Sequence, residues 1–210
     1  MPRRLPRTRR RRPDRLSRAR EHRVPFVGLT GGIAAGKSTA LAALARLGAA
    51  TLSTDAVVHE LLTGDELRDL LAERWGPEVG SDRAKIADRI FGDAEERAWL
   101  EGVLWPRVGE RVAAWRASLP SDRIAVVEVP LLFESGMESA FDATIAIVAD
   151  EETREQRAAA RGHAAVAERA KRQLSQQEKA DRADFTVRND GSLEELKQTL
   201  SRVIAKLEPT

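Results

Sequence analysis

The chain has 210 residues, of which 42% are hydrophobic, and this length predicts one globular domain with its own core rather than two. It contains no cysteine and three histidines, which excludes disulfides and thiolate metal sites, so that any metal is expected to bind through oxygen. No apolar run approaches the roughly 18 residues that cross a bilayer, and no secretory signal is visible, so we expect a cytoplasmic protein.

Positive charge is concentrated at the N-terminus. Residues 1–23 contain eleven arginines against Asp14 and Glu21, so this segment carries +9, and residues 24–210 must carry −7 to give the net charge of +2. Three prolines and few aliphatic residues predict a disordered leader. Such a leader can bind nucleic acid or anionic lipid by counterion release. The alternative is a translation start near Val24, whereas the two acids disfavour an organelle transit peptide.

The folded part opens with a predicted strand, a glycine-rich loop and a helix. The strand covers Val24–Leu29, which is almost entirely apolar, and the helix covers Ser38–Leu47, which has an apolar stripe. A second short strand is predicted at Ala50–Ser53. Thr54 and Asp55 follow it and are expected to cap the next helix.

Residues 56–118 have a helical pattern that no convincing strand interrupts. Pro106 is expected to kink or divide the last of these helices. All four tryptophans fall in this stretch, at spacings typical of helix faces, and we interpret them as core residues rather than ligand-stacking residues: Trp75, Trp99, Trp105 and Trp115.

Strands and helices alternate again after residue 118, which predicts a parallel sheet with helices on both faces. A charged helical stretch over residues 151–184, broken near Gly162, separates the last two strands. The predicted strands are Ile124–Val129, Ala143–Val148 and Phe185–Val187, followed by a turn at Asn189–Gly191 and a helix over Ser192–Leu207 that Ser192 and Glu195 cap.

The segment from Gly31 to Ser38, GGIAAGKS, matches the phosphate-loop pattern G-x-x-x-x-G-K-[ST]. Its glycines let backbone N–H groups turn towards a phosphate, and the helix that follows adds the positive end of its dipole. Lys37 is expected to bridge the outer phosphates, and the Ser38 hydroxyl to reach Mg²⁺. A strand before the loop and a helix after it meet the structural context of the motif, so the sequence predicts a nucleoside triphosphate site.

The loop alone leaves a kinase, a GTPase and a motor ATPase open. There is no Asn-Lys-x-Asp string, which disfavours a GTPase. The aliphatic run Ile124–Val127 followed by Glu128 is an imperfect match to the second motif of a motor ATPase. A small kinase fits best, because phosphoryl transfer needs arginines and a carboxylate near the acceptor.

Two groups of residues offer that chemistry. Arg154, Arg157 and Arg161 lie on one face of a predicted helix, where they either form a lid or pair with neighbouring glutamates on a solvated face. Asp55 is either an acceptor-site carboxylate or a plain helix cap.

Several segments together resemble the dephospho-CoA kinase family: VGLTGGIAAGKST, LGAATLSTD, VVEVPLLFESGM, AFDATIAIVA and ADFTVRNDGS. The resemblance runs from about Val24 to the C-terminus. It implies a P-loop α/β domain over residues 24–210, with a parallel five-stranded sheet, a helical acceptor-binding region at about 63–118 and a lid at about 150–165. It also implies phosphorylation of the ribose 3′-hydroxyl of dephospho-CoA by ATP with Mg²⁺.

The resemblance implies a role for each matching position. Asp55 is expected to orient or deprotonate the acceptor hydroxyl, with Lys37, Thr30 and the lid residue Arg157 as the other catalytic residues. The acceptor is expected to contact Asp55, Leu131, Leu132, Glu134 and Arg161. The expected ATP contacts are Gly32, Ile33, Ala34, Ala35, Gly36, Lys37, Ser38, Thr39 and Asn189, of which Ser38 also serves the metal and Asn189, with Gly191, lies near the base.

Three positions depart from the family pattern. Ser53 stands where the family has the first Asp of Asp-x-Asp, Trp105 precedes Pro106 where the family often has His, and Gly162 follows Arg161 where Asp is common. The alternatives are another P-loop kinase, acting on a nucleotide, sugar or shikimate-like acceptor, and a non-catalytic nucleotide-dependent switch that binds nucleic acid through its leader. No pattern predicts an oligomeric state.

Overall fold

A computed structural model describes residues 24–80, 82–159 and 173–208. Five parallel strands form one sheet in the order β2-β3-β1-β4-β5. This confirms the predicted α/β fold with a parallel five-stranded sheet. The predicted leader and residues 160–165 of the predicted lid lie outside the described residues. The strands are β1 (Phe26–Gly31), β2 (Ala50–Ser53), β3 (Ala125–Glu128), β4 (Ala143–Val148) and β5 (Phe185–Arg188).

Helices connect the strands, and their positions follow the sequence pattern closely. None of the described helices combines the length and apolar character that crossing a bilayer requires. A 3₁₀ turn, Met137–Ala140, precedes β4. The helices are α1 (Lys37–Arg46), α2 (Thr54–Thr63), α3 (Asp65–Trp75), α4 (Arg83–Ile90), α5 (Ala94–Ser118), α6 (Glu151–Ala159), α7 (Gln176–Arg182) and α8 (Leu193–Leu207).

The sheet is covered on both faces, which explains why its central strands are apolar throughout. Every residue of β1 and β4 is buried. On one face, Val27 and Leu29 pack with Leu44 of α1 and Leu200 of α8. On the other face, the ring of Phe26 stacks on the ring of Phe141, with centroids 4.7 Å apart. Alternate residues of one strand therefore serve two separate cores.

The helical region has a third apolar cluster of its own, built from α3, α4 and α5. Trp75 is buried there and meets Trp99 edge-on, with ring centroids 5.2 Å apart. Trp115 instead packs against the core of the sheet. Trp105 is 44% exposed, so the prediction that all four tryptophans are core residues is wrong for this one. The adjacent Leu104 is the buried residue of that helical turn.

Two local predictions in this region are corrected. The residue before α2 is Ser53, and no side chain of the described chain caps that helix, because Thr54 and Asp55 already belong to its first turn. The Thr54 hydroxyl donates instead to the Glu128 carbonyl, at 3.0 Å. Helix α5 runs from Ala94 to Ser118 through Pro106, so the prediction that this proline divides the helix is wrong, while the alternative of a kink stays a prediction.

Candidate active site

The phosphate loop joins the end of β1 to the start of α1, with β3 and β4 as the neighbours of β1. Its backbone has positive φ at Ala34 (59°) and Gly36 (91°). Gly36 precedes α1, and within the described chain no side chain accepts from the N–H groups of the first turn. These N–H groups and the helix dipole together make an anion-binding site. Ser38 and Thr39 are exposed at its mouth.

Lys37 lies across the loop as the motif predicts. Its Nζ is 3.3 Å from the carbonyl oxygen of Gly31 and 3.1 Å from that of Gly32. Both carbonyls belong to the start of the loop, so the ammonium group is held over the same concavity that the backbone N–H groups line. A polyphosphate bound there meets an ammonium group as well as the backbone donors.

Asn189 forms a hydrogen bond with the backbone of the phosphate loop. It is buried, its Nδ2 donates to the carbonyl of Ala35 at 2.9 Å, and its backbone N–H donates to Val148 at 2.8 Å. A Cβ atom at Gly36 would collide with the Asn189 side-chain amide. The structure therefore brings Asn189 into contact with the loop backbone, and its predicted position near the base of ATP stays a prediction.

Helix α6 directs two arginines at the loop. Arg154 donates from Nε to the Ile33 carbonyl at 3.1 Å and pairs through Nη1 with Glu151 at 2.7 Å. Nη1 of Arg157 is buried and has no hydrogen-bond partner among the described residues, and it lies 3.6 Å from where a Cβ of Gly36 would be. A buried guanidinium donor without an acceptor fits an incoming phosphate oxygen. Arg161 lies outside the described residues.

Two carboxylates lie on the opposite side of the loop. Glu128 ends β3, in register with Leu29 of β1 and Ser53 of β2, and is buried. Burial raises its pKa, and the nearby Asp55 adds to this, while Lys37 and a hydrogen bond with Ser53 oppose it. Asp55 is exposed at the start of α2. The sequence interpretation passed over Glu128 as an imperfect motor-ATPase motif, although an acid that ends an aliphatic strand was the available signal.

The residues predicted for the acceptor side occupy different environments. Leu131 is half-buried, while Leu132 is fully buried and packs in the core of the sheet. Glu134 forms an ion pair with Lys179, with Nζ and Oε1 2.9 Å apart. Thr30 is buried beside them, and its hydroxyl donates to the Pro130 carbonyl at 3.3 Å.

Lys179 is a residue that sequence reasoning missed. It is a buried lysine on α7, and no pattern separates it from the charged residues around it in the sequence. Burial lowers its pKa, and Glu134 opposes this effect.

Backbone N–H groups of the loop, three cationic side chains and two carboxylates therefore lie together at one edge of the sheet. The dephospho-CoA kinase family model matches residues 25–195. A dephospho-CoA kinase of Protochlamydia amoebophila (strain UWE25) is 36% identical over 193 residues, covering 86% of this chain and 95% of that protein. The chain belongs to the dephospho-CoA kinase family.

One further relative carries the same family name, and one solved structure shares the fold. A dephospho-CoA kinase of Mycolicibacterium paratuberculosis (strain ATCC BAA-968 / K-10) is 38% identical over 186 residues, which cover 84% of this chain and 46% of that longer protein. Among solved structures, TT1252 from Thermus thermophilus has a TM-score of 0.75 and 33% identity, and the alignment covers 89% of this chain and 99% of that one. The kinase fold described above is thus shared over nearly the whole of a related protein.

Proposed function

We propose that this chain transfers the terminal phosphoryl group of ATP to the ribose 3′-hydroxyl of dephospho-CoA, giving coenzyme A and ADP in the cytoplasm. The observation that carries the proposal is the buried Nη1 of Arg157 beside the phosphate loop, which has no hydrogen-bond partner among the described residues and lies opposite the carboxylates of Asp55 and Glu128. Phosphoryl transfer needs this division between cationic and anionic groups. Membership of the dephospho-CoA kinase family supports the choice of acceptor.

The loop and its helix are assigned to ATP. The N–H groups of the residues from Gly32 to Thr39 surround the phosphates, and Lys37 neutralises charge on the outer ones. Arg157 then donates to the group in transfer, where negative charge is shared among the phosphoryl oxygens. Arg157 is carried by α6 and not by the loop, so a second element covers bound ATP and helps to exclude water.

The oxygen donors beside the loop fit Mg²⁺, the expected metal. Ser38 is exposed in the first turn of α1, and the Glu128 carboxyl lies close enough to Lys37 for the two charges to interact. A hard divalent cation prefers a hydroxyl and a carboxylate together with phosphate oxygens. A metal ion held by these residues would supply charge neutralisation for the phosphates of ATP.

The acceptor is assigned to the carboxylate side. Asp55 projects from the first turn of α2, and we assign it to orient or deprotonate the attacking 3′-hydroxyl. Thr30 and Lys37 complete the catalytic group, while Leu131, Leu132, Glu134 and Arg161 are assigned to the acceptor side. Their environments differ, and Leu132 acts from the core by holding the loop from Pro130 to Glu134 in place.

An acceptor panel tests this proposal. The purified chain is supplied with ATP and Mg²⁺, and ADP release is measured with dephospho-CoA, adenosine, AMP or shikimate. We expect release to depend on dephospho-CoA, with a 3′-phosphorylated product by mass spectrometry. Equal rates with all four acceptors, or no acceptor-dependent release, would contradict the proposal, and preference for AMP or shikimate would reassign the chain to another kind of P-loop kinase.

A further inference from the structure

Lys179 is the largest of the fully buried side chains in the described part of the chain. Its Nζ donates to the Pro130 carbonyl at 2.6 Å and to the Thr30 hydroxyl at 3.5 Å, and it pairs with Glu134 at 2.9 Å. A buried ammonium group is costly unless it is paired and hydrogen-bonded. These contacts use all three of its donors, so the side chain has a single arrangement.

The Pro130 carbonyl marks the point where the chain leaves the sheet. The N–H of Val129 still bonds to Leu29 of β1, at 2.8 Å. One residue later the Pro130 carbonyl accepts from the Thr30 hydroxyl and from Lys179. The direction of the following loop, Pro130–Glu134, is therefore set by a hydroxyl on β1 and an ammonium group on α7.

At the other end of this loop, the carboxylate of Glu134 also binds Lys179. Its Oε1 accepts from Lys179 and from the backbone N–H of Leu174, at 2.8 Å. Leu174 precedes α7, so the same carboxylate fixes the segment that leads into the helix of Lys179. Lys179 thus holds both ends of the Pro130–Glu134 loop, through a carbonyl at the start and a carboxylate at the end.

We propose that Lys179 is a positioning residue for phosphoryl transfer, which holds the Pro130–Glu134 loop against the end of β1 and so aligns the acceptor with the phosphate loop. The inference rests on the proposed function for its acceptor, but the contacts that carry it are independent of which hydroxyl is phosphorylated. Thr30 is the residue directly before the phosphate loop, so one side chain links the two halves of the site. A displacement of about 1 Å between reacting groups lowers turnover by about a hundredfold.

The test replaces the ion pair as a unit in the full chain, as Lys179→Met with Glu134→Gln. Removing Lys179 alone would leave a buried carboxylate without its cation, which destabilises most proteins, whereas a neutral pair of similar volume is tolerated. The matched control is Lys197→Met with Glu194→Gln, which removes an ion pair of α8 that lies on the protein surface. Each protein is measured for ATP binding with Mg²⁺, steady-state kinetics and amide hydrogen exchange.

In the Lys179 double variant we expect kcat/KM for the acceptor to fall by about thirtyfold or more, with the dissociation constant of ATP within about twofold of the original. Hydrogen exchange should accelerate in residues 131–135 and stay unchanged in α1. The control variant should match the original protein in all three measurements. A purely structural role would lower the fraction of active protein equally for both substrates and leave the KM of the acceptor unchanged.

Two outcomes would overturn the inference: acceptor kcat/KM unchanged in the folded double variant, or unchanged exchange in residues 131–135. Hydrogen exchange is measured without an acceptor, so it tests the role of Lys179 even if the unsubstituted protein does not phosphorylate dephospho-CoA. A failure of this inference can therefore be distinguished from a failure of the proposed function. If this double variant does not fold, Lys179→Gln with Glu134→Gln is measured, because it leaves no charge unpaired and its shorter side chain at position 179 does not join both ends of the loop. We then expect about a tenfold loss of acceptor kcat/KM, and no loss would overturn the inference.

Discussion

The charged side chains at the site have different partners, and this difference underlies the roles proposed for them. Arg154 is occupied by a loop carbonyl and by Glu151, whereas the Nη1 of Arg157 has no acceptor within the described chain. Asp55 is exposed and Glu128 is buried, although the two lie near each other. These contacts support the proposal that Arg157 donates to the transferring phosphoryl group and that Asp55 meets the acceptor.

Arg157→Ala and Asp55→Asn test these two roles. Each substitution removes a charge used mainly in the transition state, so we expect kcat to fall by about a hundredfold or more while the fold is retained. Circular dichroism and steady-state kinetics measure the two properties. Arg202→Ala, at an exposed position of α8, is the control for loss of an arginine and should keep full turnover. Near-normal turnover in either site variant would remove that residue from the mechanism.

Glu128→Gln should separate stability from activity. Burial raises the pKa of Glu128 in the folded state above its ordinary value, so the ionised carboxylate at pH 7 lowers the free energy of unfolding. The amide does not ionise, and we expect a higher Tm for the variant at pH 7 without nucleotide. The difference should shrink with falling pH and vanish below about pH 4, where Glu128 is protonated in both states.

The same substitution, Glu128→Gln, should lower the turnover although it raises the Tm. We expect kcat to fall by about tenfold or more, because the carboxylate assigned to Mg²⁺ is lost. Glu110→Gln, at an exposed position of α5, is the control and should change neither the Tm profile nor the turnover. A lower Tm at pH 7 for Glu128→Gln would show that the hydrogen bond with Ser53 outweighs the cost of burial.

At the scale of elements, a short local pattern predicted the start of one helix correctly. Ser192 caps α8 and Glu195 returns the bond, as the sequence predicted. The same arrangement, Ser175 with Glu178, begins α7 and was not singled out in the sequence, although the spacing is identical. The start of α2 failed as a prediction because the Thr54 hydroxyl bonds across the sheet to Glu128, a partner that local spacing does not reveal.

The phosphate loop allows a matched pair of glycine substitutions. Gly36 and Gly48 flank α1, both with positive φ, so alanine strains the backbone at either site, by about 1 kcal/mol or more. At Gly48 nothing lies within 4 Å of the added Cβ, whereas at Gly36 it meets the amide of Asn189. We expect both variants to lose stability but only Gly36→Ala to lose ATP affinity, by about tenfold or more in equilibrium titration. Equal ATP affinities in the two variants would contradict the expectation that ATP binding depends on the backbone conformation of the phosphate loop.

At the scale of the whole molecule, the family match and the sheet cover the same part of the chain. The match begins at residue 25 and β1 begins at Phe26. The two faces of the sheet and the helical region each have a buried cluster made from residues after Val24. The sequence predicts a leader over residues 1–23 and a kinase domain over residues 24–210. A truncation between residues 23 and 24 tests this division.

A chain that begins at Val24 should keep the Tm of the full chain, and its acceptor-dependent kcat within about twofold, because the described core clusters are built from residues 24–208. Removal of eleven arginines should abolish any salt-dependent binding of RNA or DNA, measured by fluorescence anisotropy at two salt concentrations. Loss of turnover in the truncated chain would show that the leader contributes to the kinase activity. Retained nucleic-acid binding would place that binding on the folded domain.

The sequence by itself determined the order of strands and helices, the phosphate loop and the family, because these depend on neighbouring residues and on local hydrogen bonds. The tertiary structure alone decided which side chains support the site. Lys179 reaches Thr30 across 149 residues of sequence, and Asn189 reaches Ala35 across 154. Glu128 becomes a buried acid only because β1 and β2 lie on either side of it. Burial and charge pairing arise from segments brought together by the fold, and no local pattern encodes them.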